Sequence, residues 1–257
     1  MKITAGENKE KHEFALFMES LSVVMQGKKP HDSLVITDEK LVHRMAHVLR
    51  LKREDACVLF DRNIQVSVGI TAFIGKKQIS VTIYSIQAIH IFKPTITFLL
   101  PLLKRDDYES ALYGLTEVGV NTIQLVFTQK TAHHWSGNRD SERAERIVIS
   151  AAEQSKNFAY PDIKDPIPLE VALQKWGKAD MKIFFDPEGK KLFDIMHEMH
   201  ENKAKDILLL VGPEGDLHLE EKKMIQDNDF LFCALTPTVM RAVQAAALGA
   251  GFVRSLV

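Results

Sequence analysis

The apolar run Ile207-Leu-Leu-Leu-Val211 leads straight into Gly212-Pro213-Glu214-Gly215-Asp216 and then into the acidic pair Glu220 and Glu221. A glycine-rich turn at the carboxyl end of a parallel strand is where open α/β sheets take ligands, because residues without a Cβ let backbone groups approach closely. A plain strand-to-helix turn that needs glycine for its φ angles accounts for the same residues. The turn is neither GxGxxG nor a Walker A loop, since no Lys-Ser/Thr follows the glycines, so a conventional dinucleotide site and a P-loop are both disfavoured. Further on, Leu235-Thr-Pro-Thr-Val-Met-Arg241 precedes a run of small residues at Ala242, Ala245, Ala246, Ala247, Gly249, Ala250 and Gly251. Thr236 can cap a helix and Pro237 fits its first turn, which predicts a final helix from Thr238. The small side chains let another backbone come close, at a cost in helix propensity at the glycines. A buried helix crossing a sheet, a close helix–helix contact between subunits and a chain threaded through a loop all fit.

Other chemistry-bearing residues form looser groups. His133-His134-Trp135 can stack on a base or shuttle a proton, or be a solvated loop. His197 and His200, three apart on an expected helix, hold a metal only if more ligands converge, and the sequence has no HExxH. Met196 and Met199 on that helix read as core, and Asp186-Pro-Glu-Gly189 as a turn at a strand end. Cys57 and Cys233 stand apart from each other and from any Cys-x-x-Cys spacing, so neither a disulfide framework nor a zinc site is expected.

The elements that would position these residues change character near Pro94. Before it, Leu34–Ile36, Ala56–Phe60, Val66–Ala72 and Ile79–Ile89 are β-branched runs separated by turn signals at Asp61–Asn63 and Gly75–Lys77. Between the first two, Leu41, Val42, Met45, Val48 and Leu49 sit at helical spacing, which predicts a helix over Asp38–Leu51 capped by Thr37 or Asp38. The front is thus a β-rich module with one short helix. After Pro94 the chain alternates. Strands are expected at Thr95–Leu100, Thr122–Phe127, Met181–Phe185, Ile207–Val211 and Phe230–Ala234, with helices near Asp107–Val118, Ser141–Lys156, Leu192–Met199, Leu219–Gln226 and from Thr238. Near-continuous apolar strands alternating with helices mean a parallel sheet covered on both faces.

With 257 residues, 46% hydrophobic and 26% charged, the chain has the composition of an ordinary globular protein. Its 33 basic and 34 acidic residues nearly cancel, which excludes a disordered class. The longest apolar runs, at Ile96–Leu103 and Ile207–Val211, fall short of the roughly 18–20 residues that span a bilayer. The first 27 residues carry Glu7, Lys9, Glu10, Lys11 and Glu13 in place of the continuous apolar region of a signal peptide, so a cytoplasmic protein is expected. The near-neutrality is uneven: residues 1–90 hold 13 Lys/Arg against 10 Asp/Glu, and residues 91–257 hold 20 against 24. A modest basic bias at the front, together with His12, His31, His43, His47 and His90, is compatible with phosphate contacts or with a solvated basic face.

Several ordered motifs resemble the RsmE-type 16S ribosomal RNA uridine-N3 methyltransferase family of the SPOUT class. Leu210-Val-Gly-Pro-Glu-Gly215 resembles its GPEGG motif and Leu235-Thr-Pro-Thr-Val-Met-Arg241 its LGxRILR motif. Thr116-Glu-Val-Gly-Val120 is similar to TELGV, Ala151-Ala-Glu-Gln-Ser155 followed by Pro161 to AxEQS…P, and Val48-Leu-Arg50-Leu to VLRL. The matches span residues 34–257. The resemblance implies a PUA-like RNA-binding β-barrel over residues 1–90, followed by an α/β SPOUT methyltransferase domain over 91–257 with a C-terminal trefoil knot. Two subunits would pair to complete the site.

The resemblance also implies S-adenosylmethionine as cofactor, held by Leu210, Gly212, Pro213, Glu214 and Gly215 with Leu235, Pro237, Val239 and Met240. Arg241 is the implied catalytic residue, an always-charged fork able to stabilise or orient the base. Arg44, His47, Arg50, Lys52 and Arg53 would form the edge facing 16S ribosomal RNA in the small subunit. The chain departs from the family at four places. Gly114 stands where lysine is common, Asn157 where arginine is usual, Asp216 where GPEGG has its last glycine, and Val243 where LRxETA has its acid. His218 takes the usual N-cap serine position, where imidazole caps less well and Asp216 can compensate. Loss of a carboxylate at Val243 would remove an orienting partner for Arg241. Two other functions are therefore open: a catalytically impaired RNA-binding ribosome assembly factor, and a SPOUT ribose 2′-O-methyltransferase.

Overall fold

Alternating β-branched residues in the front of the chain pair into a five-stranded sheet, and the apolar runs behind it into a six-stranded one. In this computed structural model residues 13–75, 77–131, 135–195 and 204–256 are described. The chain divides into two compact units, residues 1–89 and 90–257.

The front unit holds β1 (Phe14–Phe17), β2 (Ser33–Ile36), β3 (Ala56–Phe60), β4 (Ile64–Ile74) and β5 (Gln78–Ala88) in the order β1-β3-β4-β5-β2. β1 runs parallel to β3, and the other pairs are antiparallel. The long β4–β5 hairpin carries register shifts at Ser67/Val68 and Ile70/Ala72, irregularities of the kind that curl a flat sheet toward a barrel. Val66, Val68, Ile70, Ile79, Val81 and Ile83 face the core. Two short helices, α1 (Leu21–Val24) and α2 (Glu39–His43), add Leu21, Leu41 and Val42 to it. Asp38, not Thr37, caps α2: its carboxylate accepts from Leu41 N at 2.9 Å. The single helix expected over Asp38–Leu51 is corrected. α2 ends at His43 and residues 44–48 wind as a π turn that keeps Met45 inside, after which Arg50 turns left-handed at φ 54°. At the β3–β4 turn, Asp61 accepts from Ser22 N, Asn63 N and Ile64 N at 2.7–2.9 Å.

The second unit runs β6 (Thr95–Pro101), α3 (Arg105–Glu117), β7 (Thr122–Phe127), α4 (Asn138–Ser155), β8 (Asp162–Pro168), α5 (Leu169–Trp176), β9 (Met181–Lys191), β10 (Asp206–Val211), α6 (Leu219–Asp227), β11 (Leu231–Ala234) and α7 (Ala242–Leu256). All six strands are parallel, in the order β11-β9-β10-β6-β7-β8. The expected parallel sheet is thus present, with β10 buried from Ile207 to Val211. Leu208 and Leu210 pack with Leu169 and Leu173 of α5 and Ile225 of α6, so by alternation Ile207, Leu209 and Val211 face the side on which α3 and α7 lie.

Differences from the sequence expectation have local causes. β8 carries no clear periodicity: Pro166 and Pro168 break the strand pattern, and β8 tolerates them because it is an edge strand. α5 has Leu169, Ala172, Leu173 and Trp176 at i, i+3, i+4 and i+7, a helical signal the sequence expectation passed over. Asp186–Gly189 is not a turn beyond the strand but lies within β9. Phe184 faces Phe232 of β11 and the next matched pair is Lys190 with Cys233, so residues 185–189 have no partner in β11 and form a bulge in the pairing. Gly189 is required there, since a Cβ on it would lie 2.4 Å from Cys233 N. The last helix begins at Ala242 and not at Thr238, because Thr236 Oγ1 donates to Thr238 O at 2.7 Å and leaves no helix cap. The small residues of α7 serve packing within the chain: a Cβ on Gly249 would meet the Phe185 ring at 2.5 Å, and one on Gly114 would lie 3.0 Å from Ala247.

Candidate functional site

A cleft of about 660 Å³ opens where β9, β10 and β11 end, within the roughly 300–1,000 Å³ of small-molecule sites. One wall is the turn after β10 and another is the segment from Leu235 to Arg241 that precedes α7. Of the residues expected to hold a cofactor, Gly212, Pro213, Glu214, Leu235, Val239 and Met240 line this cleft, and so does Arg241. Leu210 does not: it is fully buried in the layer beneath α5 and α6. Gly215 and Pro237 also stand outside the lining. Gly215 is tied from behind, its carbonyl accepting from Lys130 Nζ at 2.7 Å.

The turn is held by its neighbours. Glu214 Oε1 accepts from Lys104 N at 2.8 Å, fixing the turn to the start of α3. Glu221 Oε2 accepts from His218 N at 2.9 Å, and its other oxygen accepts from Gln129 N at 2.8 Å, so one buried carboxylate closes the amino end of α6 and anchors the loop after β7. This carboxylate makes good the weak cap at His218. The compensation expected from Asp216 does not occur, because both of its oxygens are engaged elsewhere. Asp216 sits at φ 58°, a left-handed backbone that asparagine and aspartate tolerate better than most residues. Its Oδ1 accepts from Leu217 N at 2.7 Å, and its Oδ2 lies 2.9 Å from Lys222 Nζ. Lys222 also reaches Asp186 Oδ2 at 2.8 Å. Burial alone would lower the Lys222 ammonium, but the bonds to Asp186 and Asp216 outweigh it and raise it above its ordinary value.

Arg241 lies at the cleft mouth with 70% of its side chain exposed. Its Nε donates to Gln244 Oε1 at 3.1 Å, and a terminal nitrogen lies 3.7 Å from Asp107 Oδ1 on α3. The expectation that Val243 leaves Arg241 without a carboxylate partner is therefore corrected: Asp107 supplies one from a different element, and Val243 is buried in α7. Gly114 and Asn157 have structural explanations as well. Gly114 admits α7 against α3, and buried Asn157 donates from Nδ2 to Thr116 O at 2.8 Å, joining the end of α4 to α3.

Sequence reasoning did not single out Lys104, Asp107 or Lys222, which line the cleft. Asp186, read only as part of a turn, lines it too. No spacing signal could have found the Asp107–Arg241 approach, which joins residues far apart in the chain.

In the front unit the five expected RNA-facing residues share the segment from the π turn to the start of β3. Arg44 is half-buried, and His47, Arg50, Lys52 and Arg53 are exposed. The His43 and His47 rings lie 5.0 Å apart. His133, His134, Met196, His197, Met199 and His200 fall outside the described residues. Among the described residues no group of three or more His, Cys, Asp or Glu side chains converges as a metal site, and no helix is long and apolar enough to cross a membrane.

Residues 92–253 match the RNA methyltransferase domain family. Ribosomal RNA small subunit methyltransferase E of Rickettsia conorii is 25% identical over 229 residues, covering 88% of this chain and 91% of that protein. The protein of the same name from Buchnera aphidicola is 23% identical over 227 residues, covering 83% and 87%. Among solved structures, ribosomal RNA small subunit methyltransferase E of Neisseria gonorrhoeae bound to S-adenosylmethionine superposes with a TM-score of 0.79 at 22% identity, over 95% of this chain and 98% of that one. A Legionella pneumophila methyltransferase in complex with the same cofactor gives 0.79 at 21% identity, with the same coverage.

Proposed function

This chain belongs to the RNA methyltransferase domain family, and on that premise we propose that it transfers a methyl group from S-adenosylmethionine to N3 of a uridine in the 16S ribosomal RNA of the small ribosomal subunit. The observation that carries the reading is the cleft itself. The two motifs that resemble those of the RsmE-type family are remote in sequence and yet supply Gly212–Glu214 and most of Leu235–Arg241 to the lining of one cavity at the carboxyl ends of parallel strands. Relatives that carry the ribosomal RNA small subunit methyltransferase E name over most of this chain's length support the choice of substrate.

The residues present fit the cofactor. Val211, Leu235, Met240, Ala242 and Ala245 offer apolar surface for an adenine, and Gly212–Glu214 line the same cleft. The cofactor supplies an activated methyl group when bound, and the chain has to position it. Uracil N3 must lose its proton to attack, which leaves negative charge on the ring carbonyls. Arg241, exposed at the mouth and always charged, is placed to fork onto those oxygens or onto a neighbouring phosphate. Asp107 and Gln244 hold it there.

The front unit is assigned the role of an RNA-binding PUA-like barrel that grips phosphates through Arg44, His47, Arg50, Lys52 and Arg53. The C-terminal trefoil knot and a homodimer are parts of the same reading. A ribosomal substrate places the enzyme in the cytoplasm. Incubation of the full chain with methyl-labelled S-adenosylmethionine and 30S subunits lacking the modification is the direct test. Label recovered as 3-methyluridine is expected; label in ribose, or none, overturns the assignment.

A further inference from the structure

Three segments meet at Lys222. Its ammonium, 21% exposed on α6, reaches Asp186 in the bulge of β9 (2.8 Å) and Asp216 in the turn after β10 (2.9 Å). All three residues line the cleft. We infer that Lys222 is a positioning residue for the cofactor: with Asp186 and Asp216 it ties the β9 wall of the cleft to the β10 turn and so sets the affinity for S-adenosylmethionine. The inference rests on the cofactor reading given above.

Each member of the trio is placed where it would be unfavourable alone. Asp186 is 3% exposed, and a carboxylate taken out of water without a cation is strongly disfavoured. Asp216 holds a left-handed φ at a position where the resembling motif has glycine. Its side chain lies against the turn, since a Cβ on Gly212 would be 3.4 Å from Asp216 Oδ1. With one oxygen on Leu217 N and the other on Lys222, the carboxylate fixes the turn that carries the Gly212–Glu214 backbone. The ammonium is raised by these same bonds and stays charged across the working pH range. A bridge between two walls of a binding cleft keeps them at the separation the ligand needs, and without it the ligand must select that separation from a broader set.

The trio also accounts for the GPEGD departure. Asp216 replaces a conformationally free glycine with a residue that costs more in backbone energy, and what it adds is the second anchor for Lys222. A purely structural ion pair would make its presence felt in folding stability. A positioning bridge makes itself felt in cofactor affinity.

Calorimetric titration of S-adenosylmethionine into the full-length wild type, Asp216→Asn, Asp216→Gly and Lys222→Met, each with a thermal melt, separates the two. Asp216→Asn keeps an acceptor for Leu217 N and removes the charge, while Asp216→Gly relaxes the backbone as well. Both are expected to raise Kd about tenfold while the melting midpoint stays within about 2 °C of wild type. Lys222→Met is expected to weaken binding and also lower the midpoint, because Asp186 is left buried without its cation. The double variant Lys222→Met/Asp216→Asn should bind no more weakly than Lys222→Met alone. Wild-type affinity in both Asp216 variants overturns the bridge and leaves the cofactor reading standing. No saturable binding by the wild type overturns the cofactor reading and the bridge with it.

Discussion

Arg241 at the head of α7 and Asp107 in the first turn of α3 approach to 3.7 Å across the mouth of the cleft. The carboxylate that approaches the arginine thus comes from a helix more than a hundred residues earlier in the chain, not from the position two residues on where Val243 stands. Arg241→Ala should lower kcat for methyl transfer about 100-fold or more, the scale of removing one charge-stabilising donor, with cofactor affinity within a factor of about three, less than 1 kcal/mol. Asp107→Asn should lower kcat by a smaller factor and leave cofactor binding intact. Single-turnover rates on small-subunit RNA measure both. An Arg241→Ala enzyme with unchanged kcat would remove this residue from the mechanism.

The front unit makes a prediction about salt. Each of Arg50, Lys52 and Arg53, if it neutralises a phosphate, contributes close to one unit to the slope of log affinity against log salt. The triple alanine variant should bind small-subunit RNA more weakly at 50 mM salt and show a slope shallower by about two to three. An unchanged slope would mean that these exposed cations face only water.

Close packing of α7 predicts a stability effect. Gly249→Ala forces a methyl group toward the Phe185 ring, which a Cβ would approach to 2.5 Å. Alanine gains about 1 kcal/mol of helix propensity over glycine, yet overpacking costs about 1–3 kcal/mol. The expected result is net destabilisation, read as a lower urea midpoint. Cofactor binding should weaken with it, because Ala242 and Ala245 of the same helix line the cleft.

Acid should act on the front unit through Asp61. Burial alone would raise its carboxyl, but hydrogen bonds from Ile64, Ser22 and Asn63 outweigh that and hold it below the ordinary 3.8. A carboxyl whose folded value is depressed gives stability that is present in full above the unfolded value and is lost as pH falls through the folded one. Asp61→Ala should therefore destabilise by about 2 kcal/mol at pH 7, and the gap to wild type should narrow below about pH 4. A gap that is constant down to pH 2 would show that the charge plays no part.

The second unit was largely legible because β6, β7 and β10 are buried along nearly their whole length, and β10 with its glycine turn marked the cleft directly. The elements that escaped were those whose local pattern is overridden: β8, an edge strand tolerating two prolines, and β1, four residues long. The start of α7 was misplaced because Thr236-Pro237 has the composition of a cap while the threonine hydroxyl is turned onto Thr238 O. Within the site, backbone-lining residues could be carried over by motif. Contacts between side chains remote in sequence, such as Asp107 with Arg241 or Asp186 with Lys222, have no local signature and become visible only once the strands are ordered. The side chain of Leu210 falls outside the cleft lining because the alternation of β10 turns it into the core.

The trio at Lys222 also makes the tolerance of one position depend on the residue at another. Lys222 with Asp186 alone is a complete ion pair, and glycine at 216 would accept the left-handed backbone without cost. An aspartate at 216 without the lysine would set a second carboxylate beside a buried one with no cation between them. Loss of the lysine therefore costs more with aspartate at 216 than with glycine there. Positions 216 and 222 are thus coupled: Lys222→Met should lower stability more in the wild type than in an Asp216→Gly background.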